Sequence, residues 1–252
     1  MPSPPTPPVV EVDWTQVPWG DVRPMHPSVA LRVIMDQLPL LVWNDMTLEG
    51  TSLTLDDILL LVEGGDPASA EVSDLDVAKA TGLIEAYRAL IALLQNDSFD
   101  LEKDTMNRLA KDVARAEVID PGVFRCDSNV GGGGHVRLTT GHVVSGIDNE
   151  IMSQSYNSLI SQALPVLDPR QAAMYYYAAV VRWQLWFDGN KRAGRLGMLG
   201  HLVAHGYAPP SVPAKDEIEF HKSLDVLFAA GDATRLCALI AASPACSASA
   251  DS

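Results

Sequence analysis

The spacing of apolar residues constrains this chain more than any other feature. Leu83, Ile84, Tyr87, Leu90, Ile91 and Leu94 recur at three- and four-residue steps. That period lines one face of a helix and no single face of a strand. It returns over residues 29–43, with a kink expected at Pro39, and over 54–62, 100–117, 148–164 and 168–183. It continues over 191–205, 215–229 and 232–242. The boundary residues agree. Thr54 with Asp57 resembles a capping box, Ser73 or Asp74 can cap the long helix, and Asp100 can cap the next. Asp168-Pro169 pairs an N-cap with proline at the first helical position, and Gly64-Gly65 ends a helix.

One stretch departs from this rule. Residues 123–144 hold short Val-, Phe- and Thr-rich runs on either side of Gly131, Gly132, Gly133 and Gly134. This predicts a β-hairpin with a glycine tip, because glycine tolerates turn conformations that other residues avoid. The fold class expected is all-α, carrying one small hairpin. Residues 1–28 are proline-rich and blocked from helix, so they predict an extended arm, mobile or draped over the surface. Residues 29–97 form an N-terminal helical segment and 98–241 the core. Residues 242–252 are small and polar and predict a frayed tail.

Acidic residues outnumber basic ones 32 to 18, for a net charge of -14. A broad grip on nucleic acid or an anionic membrane is therefore not expected. The start lacks a secretory pattern, and no apolar stretch is long enough to cross a bilayer. Three cysteines, Cys126, Cys237 and Cys246, are too few and scattered for a disulfide framework, which points to a reducing, cytoplasmic setting.

The charge is uneven. Arg182, Lys191, Arg192 and Arg195 concentrate four of the 18 basic residues into fourteen positions. The last three open a helix just after an Asp188-Gly189-Asn190 turn. Positive side chains are unfavourable there, because the helix dipole is already positive, so they need an anion. Unpaired N–H groups at the same place form an anion nest, and Gly189 allows close approach to the backbone. Asp188 is placed to hold a hard divalent cation beside a phosphate. Together these suit a Mg²⁺–nucleotide site. The competing reading is a helix–turn–helix whose arginines pair with acids elsewhere in the chain.

The segment 183–195 resembles the core motif of the Fic/Doc (Fido) family, His-x-Phe-x-(Asp/Glu)-Gly-Asn-(Gly/Lys)-Arg-x-x-Arg. Asp188, Gly189, Asn190, Lys191, Arg192 and Arg195 match it, and Trp186 stands at the Phe position. The likeness extends over roughly 29–241. The resemblance implies a Fic-like helical core and a hairpin flap, here Gly131 to Gly134 with His135, that aligns a target segment. It implies ATP, or another nucleotide, with Mg²⁺, and transfer of AMP or another phosphate-containing group to a protein or small-molecule acceptor. Asp188, Asn190 and Arg192 fall among the catalytic positions. Gly189, Asn190, Lys191, Arg192 and Arg195 fall among the nucleotide-binding ones, with Asp188 on the metal.

Residues 45–57 resemble an N-terminal inhibitory helix, (Ser/Thr)-x-x-x-Glu-(Gly/Asn), with Glu49 and Gly50 matching and Asp45 at the Ser/Thr position. The resemblance implies that Glu49 pairs with Arg195 and blocks the γ-phosphate site. A second spacing match, Thr81 to Glu85, lacks the following Gly, and Glu85 is expected on a helix surface.

The family's catalytic histidine falls on Gln184. A glutamine amide does not take a proton near neutral pH, so the usual general base is missing. Three explanations remain open: a pseudo-enzyme that binds nucleotide and a partner, a transferase using another base such as His135 or His142, or one acting on an acceptor that needs no base. His201 and His205, one turn apart, have a spacing that can hold zinc, but a structural pair is the stronger expectation. Trp183, Trp186 and the Tyr175–Tyr177 run are expected in the core. Residues 33–78 hold ten acids and no Lys or Arg, which reads as a solvated acidic face around the inhibitory-like motif.

Overall fold

The structure, a computed structural model, describes residues 5–20, 22–68 and 72–243. The tail expected to fray lies almost wholly outside the described residues. Helices α1 (Pro27–Asp36), α2 (Leu38–Thr47), α3 (Leu55–Val62), α4 (Asp74–Gln95) and α5 (Lys103–Ala114) precede the hairpin β1 (His135–Arg137) and β2 (Val143–Ser145). Then come α6 (Asn149–Ser158), α7 (Pro169–Trp183), α8 (Asn190–Ala204), α9 (Glu217–Ala230) and α10 (Thr234–Ala242). The expected all-α class with one hairpin holds.

Local chemistry explains most boundaries. Thr54 and Asp57 form a reciprocal capping box at α3, Ser73 caps α4, and Asp168 caps α7 with Pro169 in its first turn. Two expectations need correction. Residues 29–43 are not one kinked helix: α1 ends at Asp36, Gln37 breaks the run, and Pro39 sits in the first turn of α2. A missing proline N–H costs nothing at that place. Asp100 accepts from the Glu102 N–H at 3.1 Å but does not cap α5, whose N-cap is Glu102.

The antiparallel helices α7 and α8 run through the centre, both largely buried. They come close because α8 presents glycines. A Cβ at Gly197 would lie 2.4 Å from the Tyr176 ring, and one at Gly200 would lie 2.3 Å from the Phe99 ring. Helices α4 and α5 cover one side of α8, while α9 and α10 pack beside α7. Trp186, Tyr176 and Tyr177 are fully buried, as expected for core. The N-terminal arm is draped over the surface rather than loose. The Trp183 indole donates to the Pro8 carbonyl at 2.9 Å, Tyr175 donates to Val10, and Glu11 pairs with Asp232 in a single bridge.

Candidate functional site

The site is built on the turn between α7 and α8. Gln184 closes α7 in the left-handed region, at φ 55° and ψ 64°. Its Nε2 donates to the Val181 carbonyl at 2.7 Å, and its Oε1 accepts from Asn190 Nδ2 at 3.3 Å. Its own carbonyl accepts from Arg125 Nε at 2.7 Å. Asn190 staples the turn, because its amide both accepts from the Trp186 N–H and donates to the Trp186 carbonyl, each at 2.9 Å. Gly189 has φ +74°, and a Cβ there would press on Val113 at 2.8 Å. Glycine is therefore required by the backbone and by packing on α5 as well.

No side chain caps α8 among the described residues. Its first backbone N–H groups have no intrahelical acceptor. They border a cleft of about 420 Å³ whose lining includes Gln184, Asp188, Lys191, Glu49, His135 and His221. Asp188 is exposed there, with Oδ1 accepting from the Gly189 N–H at 2.6 Å.

Each cation that opens α8 has a carboxylate partner. Lys191 Nζ lies 2.9 Å from Glu49 Oε2. Arg192, 2% exposed, donates to Glu117 at 2.5 Å. Arg195, 4% exposed, pairs with Asp45, which also accepts from the Tyr87 hydroxyl at 2.9 Å. The rings of Tyr177 and Phe220 flank the Arg195 guanidinium. This corrects the expected Glu49–Arg195 pair. Asp45, one helical turn before Glu49, reaches Arg195 first, and Glu49 in the following turn reaches Lys191 instead. The competing sequence reading, arginines paired with acids elsewhere, thus holds for Arg192 and Arg195.

Charge sets the protonation states. Burial raises the Glu49 carboxyl, but the Lys191 and Arg192 charges outweigh it and hold it below the ordinary carboxylate range. Burial works against the Arg195 cation, yet Asp45 beside it holds its proton more firmly than usual. Glu49 Oε1 is buried without a hydrogen-bond partner.

The hairpin also differs from expectation. Gly131 to Gly134 are not its tip. They lead into β1, and the turn lies between Leu138 and His142, where the Leu138 N–H donates to the His142 carbonyl. The glycines serve another purpose: a Cβ at Gly134, φ +73°, would lie 2.4 Å from Arg125 Cζ. Arg125 in turn donates to the carbonyls of Gln184 and Ile147, tying the flap to the site turn. His135 lines the cleft while His142 does not. Glu85 pairs with Arg115 at the surface, as expected, away from the cleft.

No protein-family model and no curated protein matches the chain. Solved structures do. The chain is similar to Fic-1 from C. elegans with a TM-score of 0.67 and 21% identity, over 85% of this chain and 62% of that one. It is similar to a Fic domain containing signaling protein from Bacteroides thetaiotaomicron (0.65, 20% identity, 90% of this chain and 85% of that one). A Fic family protein from Desulfovibrio desulfuricans gives 0.62 at 15% identity, over 89% and 73%. The chain has the Fic fold.

On this Fic fold, sequence reasoning missed Glu117, the Asp45–Arg195 pair, Arg125, and the cleft residues His221 and Asp225. Glu117 lies 75 positions from Arg192, and Asp45 lies 150 from Arg195. The one available signal was a carboxylate at position 45, a helical turn from Glu49.

The His201–His205 pair behaves as structure, with ring centroids 4.3 Å apart and His205 Nδ1 2.8 Å from the His201 carbonyl. Among the described residues no cluster of three metal-ligating side chains occurs. Burial, aided by His205, pushes the His201 imidazole down to about 4. A depressed histidine costs stability in acid, because the unfolded chain takes the proton first. Stability should therefore fall as pH drops from about 6.5 to 4, by about 1–3 kcal/mol. Urea midpoints across that window test this, and His201→Gln should flatten that component of the profile.

Proposed function

We propose that this chain is a Fic-family protein that binds a magnesium–nucleotide at the start of α8 and transfers a phosphate-linked group to a hydroxyl acceptor. The observation that carries this is the uncapped α8 N-terminus, with Lys191 and exposed Asp188 bordering one cleft beneath the flap. The residues fit a magnesium ion brought in with phosphate. One open carboxylate suits that ion, which prefers one or two carboxylates plus substrate oxygens over an all-protein cage. When bound, the ion would offset charge on the phosphate oxygens. Asp188 would hold it. Lys191 and the α8 N–H groups would hold the phosphates, while Asn190 and Arg192 fix the turn. Flap residues and His135 would present the acceptor. A cytoplasmic setting fits the free Cys126 and Cys237, and no described helix is long and apolar enough to cross a membrane.

A specific observation favours the non-catalytic reading, a nucleotide-dependent interaction module: Gln184 is engaged at both ends of its amide and supplies no base. One experiment separates them. The wild-type chain and Glu49→Gly are incubated with α- or γ-labelled ATP and Mg²⁺. Label transfer supports the enzyme, and binding without transfer supports the module. If Glu49 restrains the site, Glu49→Gly tightens ATP binding at least about tenfold, because a carboxylate no longer faces the phosphates. Unchanged affinity removes the restraint, and no binding by either variant removes both readings.

A further inference from the structure

We propose that the groove between α6 and α7 is a docking site for an extended, proline-rich segment of a partner protein. The chain's own N-terminal arm is a weak occupant of the same site. The proposal does not depend on the nucleotide reading of the α8 turn.

The arm is held as a peptide ligand is held, mostly by its backbone. The Trp183 indole donates to the Pro8 carbonyl at 2.9 Å, and the Tyr175 hydroxyl to the Val10 carbonyl at 3.2 Å. The Glu11 N–H donates to the Gly231 carbonyl, and the Glu11 carbonyl accepts from the Ala233 N–H, each at 2.8 Å. A Cβ at Gly231 would lie 2.6 Å from the Val9 carbonyl oxygen, so glycine there lets the arm lie close. Of residues 5–13 only Val10 is buried, and Val9 is 58% exposed. Backbone bonds of this kind tolerate many sequences, as in peptides that dock in extended form. One buried valine and a few exposed bonds place the arm among the least stable parts of the molecule.

The groove is larger than the arm that lies in it. Pro5 and Pro7 line it together with Ile151, Gln154, Ser158 and Gln162, and about 510 Å³ stays open. Both prolines remain exposed. Beside the groove α6 gives way to a π-helical turn, Leu159–Ala163, a rare distortion that is frequent at functional sites. The lining selects the ligand. No lining residue carries a charge, although the chain has a net charge of -14. Polyanions, anionic membranes and charged peptides therefore meet no complement there. Amide and hydroxyl donors beside Trp183 and Tyr175 suit a polyproline II segment instead. Such a segment leaves its carbonyls without internal partners, and its fixed φ lowers the entropy lost on docking. A larger apolar side chain near the place of Pro5 would fill the volume that the arm leaves open.

The test is fluorescence anisotropy with a labelled peptide that has the sequence of residues 5–13. Val10→Asp in the full chain removes the arm's buried side chain and leaves the groove lining intact. That variant should bind the peptide at least about tenfold more tightly than the wild type, whose tethered arm competes at high effective concentration. A peptide carrying Pro5→Leu should bind at least about threefold more tightly than the unaltered one, by filling the open volume. A peptide with alanine at positions 5, 7 and 8 should bind at least about tenfold more weakly, having lost its stiffness. The wild type labelled at its N-terminus covers the case in which Val10→Asp does not fold: unlabelled peptide should lower its anisotropy by freeing the arm. No binding by Val10→Asp together with no such fall overturns the proposal. Equal affinity for the wild type and Val10→Asp places the peptide elsewhere and does the same. Equal binding of the alanine peptide removes the proline preference on which the proposal stands. A leucine peptide that binds no better shows a groove fitted to the arm alone, and overturns the partner. So does a wild-type dimer that Val10→Asp abolishes, since the occupant is then the arm of a second copy.

Discussion

In a Glu49→Gly background, replacing Gln184 by histidine should raise group transfer by about 10²–10⁴-fold, the usual contribution of a general base. The backbone is ready for the change. Gln184 sits at φ 55°, and histidine enters the left-handed region more readily than most side chains. The amide of Gln184 holds Val181 and Asn190 by hydrogen bonds, and Asn190, which opens α8, keeps its two bonds to Trp186 when the Gln184 contact is lost. The measurement is single-turnover transfer of α-label to the protein or to an added hydroxyl peptide. The gain should appear as pH rises through the ordinary histidine range, since only the neutral imidazole takes a proton. A rate unchanged by the substitution, with nucleotide still bound, means the site lacks more than its base and supports the interaction module.

The largest stability effect should come from Asp45→Ala. It leaves the Arg195 cation buried without its partner, at a cost of about 3–5 kcal/mol. For a chain of this size that lowers the melting temperature by roughly 10 °C. Removing both charges together, as Asp45→Leu with Arg195→Met, should restore most of the loss. Urea midpoints for the two single variants and the double variant measure the coupling. If the two single effects sum to that of the double variant, the pair does not act as a unit.

The helices were legible because their signals are local. The Thr54–Asp57 box and the Asp168-Pro169 start need only neighbouring residues, and each appears as read. The turn from Gln184 to Arg195 was legible for the same reason, being one contiguous segment. Pairing partners were not. Lys191, Arg192 and Arg195 each required an anion on dipole grounds, but three different elements supply it: Glu49 after α2, Glu117 after α5 and Asp45 within α2. Short spacing rules carry no information over such separations. The glycine run misled because flexibility alone suggests a tip, whereas Gly134 is there to let the Arg125 guanidinium pass.

The draped arm carries a consequence for assembly order. Pro8 and Val10 accept hydrogen bonds from Trp183 and Tyr175 on α7, while Glu11 lies along Gly231 and Asp232, just before α10. These contacts join residues more than 160 positions apart, so closing them costs chain entropy that only an assembled α7–α10 surface can offset. During synthesis the arm emerges well before its seat on α7–α10. Trp183, whose indole it caps, immediately precedes Gln184. A segment synthesised well before α7 therefore braces, only after α7–α10 have assembled, the turn on which any chemistry depends.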